Sequence, residues 1–173
     1  MKTGATNITD TATSTAAAGA ETAHDLILER VFDAPPARVY QAWTDPEILK
    51  QWFAPKPYTT PSAELDVRPG GASTIVMRDP DGNDFPNRGV YLEVEPGRKI
   101  VSTDAYVEAW QPSQRPFMTM ILTFDDAGNG RTKARYVVRH WTEEARKQHE
   151  DMGFYEGWGQ CADQLAALLK ERG

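Results

Sequence analysis

Phe32-Asp33-Ala34-Pro35-Pro36-Ala37-Arg38-Val39-Tyr40-Gln41-Ala42-Trp43-Thr44-Asp45-Pro46-Glu47-Ile48-Leu49-Lys50-Gln51-Trp52-Phe53 is the stretch that decides the fold. It reads as a strand end, a short helix, a tight break and a second short helix. Pro36 suits a first helical turn, where a missing N–H breaks no bond. Val39, Tyr40 and Trp43 then recur at i, i+1 and i+4 and make one apolar face. Asp45 restarts the pattern as an N-cap, with Pro46 as the first helical residue. Ile48, Leu49, Trp52 and Phe53 repeat the face, and Pro55 and Pro57 end it. Two short helices wedged between strands let a curved sheet close over them and leave a cavity.

On the N-terminal side, Leu26 to Phe32 carries β-branched residues and loose alternation, the pattern of a strand. On the C-terminal side, strand-like runs alternate with turn signals. They cover Tyr58 to Val67, Ala72 to Arg78, Arg88 to Val94, Ile100 to Trp110, Phe117 to Phe124 and Thr132 to Trp141. Such close spacing favours an antiparallel meander over parallel βαβ units. Thr142 reads as an N-cap with Glu143 and Glu144 in the first turn, opening one helix that runs to about Leu169. Phe154, Trp158, Cys161, Ala162, Leu165, Leu168 and Leu169 keep to one face of it. Gly153, Gly157 and Gly159 interrupt that helix, each at a cost of about 1 kcal/mol relative to alanine. They mark a close approach to the sheet, a kink, or room for a ligand. The order of strand, two short helices, about six strands and a long helix is an α+β two-layer design.

The chain has 173 residues, enough for one domain and a tail. Residues 1 to 24 are Thr/Ala-rich and nearly free of large apolar groups, so they read as a disordered tail ahead of a domain over residues 25 to 173. That tail has neither the apolar middle of a secretory signal nor the arginines of a transit peptide. A net charge of -6 argues against a nucleic-acid binder. No apolar run approaches the ~20 residues that span a bilayer, so membrane insertion is not expected. Cys161 is the single cysteine, which excludes an internal disulfide and fits a cytoplasmic protein.

Several motifs fall in order: Phe32-Asp33-Ala34-Pro35, Val39 to Pro46, Gln51-Trp52-Phe53, Arg68-Pro69-Gly70-Gly71, Gly89 to Pro96, and Gly157 to Leu165. Together they resemble the SRPBCC superfamily, also called the START or helix-grip fold. Within it they resemble the group named after the activator of the heat-shock-protein-ninety ATPase. The resemblance covers roughly residues 25 to 171 and implies a curved antiparallel sheet wrapped around a long C-terminal helix. It implies a central cavity of the kind used by lipid carriers, polyketide cyclases and hormone receptors. It also brings a possible chaperone partner.

Alternation assigns faces within that fold. Met118, Met120, Leu122 and Phe124 form one apolar set, facing the helix. Ala134, Tyr136, Val138 and His140 face inward, and Lys133, Arg135 and Arg139 outward, with Arg131 adding to a basic stripe. Trp52, Met118, Met120, Phe154 and Trp158 are the candidate walls of a pocket for a small hydrophobic or aromatic ligand. Tyr91, Asp104, Tyr106 and His140 are its polar candidates. In an enzyme of the cyclase or hydrolase type, His140 is the candidate base, with Tyr106 or Asp104 orienting the substrate. His149 falls on the helix surface. No metal-ligand spacing is present, and no metal or cofactor is expected. Cys161, on the apolar helix face without an adjacent base, reads as a small hydrophobe.

Overall fold

The computed structural model describes residues 20–173. Its elements run β1 (Asp25–Phe32), α1 (Pro36–Thr44), α2 (Pro46–Leu49), β2 (Thr59–Leu65), β3 (Ala72–Arg78), β4 (Asp84–Glu95), β5 (Lys99–Thr103), β6 (Met118–Gly128), β7 (Arg131–His140), α3 (Glu143–Asp151) and α4 (Phe154–Glu171). The seven strands form one sheet in the order β1-β7-β6-β5-β4-β3-β2, and every pairing is antiparallel. The first strand therefore lies beside the last, and the rest is a meander. This is the expected α+β helix-grip architecture.

The helix pair after β1 forms as its prolines and its aspartate require. Pro35 caps α1 with Pro36 at its start, and the Asp45 carboxylate accepts from the Glu47 and Ile48 N–H groups at 2.9 and 3.3 Å. The second helix is shorter than its apolar pattern suggests. Trp52 and Phe53 lie in the turn that follows, their N–H groups donating to Leu49 O at 3.2 and 3.1 Å. Val39, Ala42 and Trp43 from α1 meet Leu26, Phe32, Ala134, Tyr136 and Val138 from the sheet, with Phe154, Cys161, Leu165 and Leu169 of α4 completing the core.

On β7, Thr132, Ala134, Tyr136, Val138 and His140 are buried, as alternation requires. Three of the outward cations, Lys133, Arg135 and Arg139, are paired. Lys133 and Arg135 reach Glu29 at 3.1 and 3.3 Å, and Arg139 donates to both oxygens of Asp25 at 2.8 Å. The segment just before β1 docks on the same strand. Glu21 pairs with Arg135, Ala20 O accepts from Arg139 at 3.1 Å, and His24 O accepts from the His140 N–H at 3.0 Å. Ala20, Glu21 and His24, from the stretch expected as tail, thus contact β7, and residues 1 to 19 of that stretch lie outside the described residues.

Two elements differ from expectation. The run Ile100 to Trp110 is a strand only through Thr103. Beyond it the Asp104 carboxylate accepts from the Phe117 and Met118 N–H groups at 2.8 and 3.0 Å, taking over the partners a longer strand would offer. Ala109 and Trp110 then turn through φ of 39° and 64°. The C-terminal helix is not continuous either. Gly153 adopts φ 92°, a left-handed conformation that ends α3 and sets a new start for α4.

Candidate ligand cavity

Four strands and one helix enclose a cavity of about 600 Å³. That lies within the range of about 300–1,000 Å³ typical of small-molecule sites. The concave side is built by residues of one parity on each strand: Ser73, Ile75 and Met77 on β3, Tyr91 on β4, Ile100 and Ser102 on β5, and Met118, Met120 and Leu122 on β6. Side chains of a strand alternate between faces, so one parity supplies most of this wall, with Arg88 and Thr103 joining it from the other. Opposite them stand Phe154, Gly157, Trp158 and Cys161 of α4, the i, i+3, i+4, i+7 stripe of one helix face. Trp43, Leu49 and Phe53 close the inner end. Exposed residues Pro86, Asn87, Arg88, Arg115 and Met152 rim the other end, Met152 being 71% exposed, so the cavity opens there to solvent.

An aromatic cluster stiffens the closed end. Trp43 stacks on Trp158 with centroids 5.8 Å apart, and meets Trp52, Phe53 and Tyr136 edge-on at 4.7, 6.2 and 5.4 Å. Such pairs contribute about 0.5–1.5 kcal/mol each beyond their buried area. The lining contains few groups that ionise near neutrality. Burial pushes the Cys161 thiol up to about 12, and its Sγ lies 3.0 Å from Phe53 O. Burial likewise pushes the Tyr91 hydroxyl up to about 12, against a smaller opposing bond from Ser73. Both stay neutral at pH 7, and neither serves as a nucleophile there.

Of the residues singled out from sequence, Tyr91, Asp104, Met118, Met120, Phe154 and Trp158 border this cavity. Trp52, Tyr106 and His140 do not. Trp52 is turned into the core, its indole N–H donating to Ala42 O at 3.1 Å. Tyr106 packs against Trp110 at 5.6 Å in the loop after β5, bridged to Pro112, because the strand expected to carry it inward stops at Thr103. His140 faces inward but has both ring nitrogens engaged. Nδ1 lies 3.1 Å from His24 O and Nε2 lies 2.9 Å from His149 Nδ1. The histidine that does border the cavity is His149, half-buried rather than on the surface. The wall formed by Ser73, Ile75 and Met77 was also missed, although its alternation is plain in Ala72 to Arg78.

Among the described residues, no cluster of three or more His, Cys, Asp and Glu side chains is placed to hold a metal ion. No helix among them is long and apolar enough to cross a membrane.

The family model described as Activator of Hsp90 ATPase homolog 1-like protein matches residues 33–170. The chain belongs to that family. Among solved structures, a protein from Nitrosomonas europaea is 39% identical, with a TM-score of 0.84 over 88% of this chain and 98% of its own. A Mycobacterium smegmatis protein is 30% identical, with a TM-score of 0.73 over 85% of this chain and 91% of its own. A Chromobacterium violaceum protein is 31% identical, with a TM-score of 0.69 over 83% and 96%. No curated protein matches the chain. Membership in the family accounts for the sheet, the helix pair and the grip of α4, while one fold hosts many functions. The family's descriptive name refers to a chaperone ATPase, and the fold alone does not carry that activity to this chain.

Proposed function

We propose that this protein binds a small apolar or aromatic molecule in the cavity between the sheet and α4. The observation that supports this most is the lining: methionine, leucine, isoleucine and aromatic side chains from every enclosing element, with Ser73, Tyr91, Ser102, Asp104 and His149 among its polar groups and Arg88 and Arg115 at its open rim. Removing an apolar ligand from water onto such walls gives about 25 cal/mol per Å² of apolar area buried. Methionines at 118 and 120 adapt to ligand shape, since a flexible thioether fills irregular gaps. A helical glycine contributes as well. A Cβ on Gly157 would meet nothing within 4 Å, so the helix leaves open space where it faces the cavity.

Trp43 and Trp158 stand in the walls and report directly on occupancy. A naphthalene-class probe should quench tryptophan fluorescence saturably. Gly157→Leu, which fills the open space without a steric conflict at Cβ, should weaken that binding by at least roughly tenfold, the equivalent of about 1.4 kcal/mol. Circular dichroism should show the variant folded. Linear, non-saturable quenching in the unmodified protein would remove the proposal.

A further inference from the structure

The histidine pair beside the cavity has its proton positions dictated by its neighbours. His140 Nδ1 lies 3.1 Å from the main-chain oxygen of His24. A carbonyl oxygen only accepts, so Nδ1 carries the hydrogen. Burial is the largest influence on His140 and holds it below its ordinary range, so the ring is neutral at pH 7 and its Nε2 is a bare lone pair. His149 Nδ1 stands 2.9 Å from that lone pair and must therefore donate to it. Burial first, then the neighbouring His140, push His149 down to about 4. His149 is therefore neutral too, with its own lone pair at Nε2. One carbonyl on the segment before β1 thus sets the tautomer of two rings in sequence.

Packing fixes the rings in place. Phe117 lies 5.3 Å from His140 and 5.0 Å from His149, and Phe154 closes on His149 at 5.1 Å. Among the described residues, His149 Nε2 has no hydrogen-bond partner. The buried side-chain atoms without a partner among the described residues are Trp43 Nε1, Thr60 Oγ1 and Tyr136 Oη. His149 Nε2 is not one of these, so it is accessible rather than fully buried, and its residue lines the cavity.

We propose that His149 Nε2 is a hydrogen-bond acceptor presented to the cavity, and that the ligand is an apolar or aromatic molecule carrying a hydroxyl or N–H donor. The proposal rests on the cavity reading above and narrows it. A neutral imidazole nitrogen favours a phenol, alcohol or amine-type N–H over the same molecule with that hydrogen replaced by methyl.

The test compares 1-naphthol with 1-methoxynaphthalene by tryptophan quenching, on the unmodified protein and on His149→Asn. The asparagine amide can keep a donor toward His140 Nε2 while leaving nothing at the position of His149 Nε2. The unmodified protein should hold 1-naphthol roughly three- to tenfold more tightly, the worth of one net hydrogen bond. The variant should bind the two probes alike. Two saturating probes with no preference, or a preference that survives in the variant, would overturn the proposal and leave the cavity reading standing. If neither probe saturates, the cavity reading fails and takes this proposal with it. Nitrogen-15 NMR of the unmodified protein at pH 7 tests the proton positions without any variant. Both histidines should show protonated Nδ1 and bare Nε2, and a proton on His149 Nε2 would overturn the proposal.

Discussion

At the scale of single residues, His149 links the cavity to acid stability. Its folded-state value of about 4 lies below the ordinary 6.5. Between those values the unfolded chain binds a proton that the folded chain refuses, so stability rises with pH across that window. The contribution is complete above about 6.5 and is lost as pH falls toward about 4. His140 is shifted in the same direction by its burial. Melting temperature should drop as pH is lowered across that window, and less steeply for His149→Asn; parallel slopes would contradict the argument. Asp25 acts at more acid pH. Its burial raises it, but bonds from Arg139 and Thr22 outweigh burial and hold the carboxyl below the usual 3.8. Alternation in Thr132 to Trp141 shows that His140 points inward. It does not show that His140 is fully engaged, because its partners are a main-chain oxygen far away in sequence and a ring on another element.

At the scale of elements, the break between α3 and α4 decides which helix residues face the sheet. A continuous wheel from Thr142 places His149 on the surface, while a restart at Gly153 gives α3 its own phase and turns His149 to the cavity rim. The three glycines of this region look alike in sequence and differ in the structure. Gly153 needs its left-handed φ of 92°. A Cβ on Gly157 or Gly159 would meet nothing within 4 Å, so neither marks a close approach to the sheet. Opposite outcomes follow for one substitution. Gly153→Ala should lower stability by about 1–2 kcal/mol through left-handed strain, and Gly159→Ala should raise it by about 0.5–1 kcal/mol through helix propensity. Denaturant melts read both, and changes of the same sign would show that the break is not set by Gly153. The short β5 was hidden for a similar reason. Tyr106 to Trp110 has strand-forming composition, but Asp104 ends the ladder by capping Phe117 and Met118 from its side chain.

At the scale of the whole molecule, the sheet is legible because its signals are local and repeated. Turn residues separate each run, and the parity of Met118 to Phe124 and of Thr132 to His140 fixes which face is buried. The motif from Phe32 to Phe53 places two helices at one end of that sheet, and α4 crosses its concave side. The closure of β1 against β7 brings the segment at His24 to the end of the chain's last strand. This long-range pairing sets the histidine tautomers and lies beyond any window of sequence. The cavity itself is a property of the assembled fold, since its walls come from β3 to β6 and from α4, with α1 and α2 at its end. Amide chemical-shift mapping during titration with 1-naphthol tests its role most directly. The account predicts saturable shifts at Ile75, Tyr91, Met118, Met120, Gly157 and Trp158, with the outward face of β1 and β7 silent. Saturable shifts centred on that outward face, or none at the cavity walls, would contradict it.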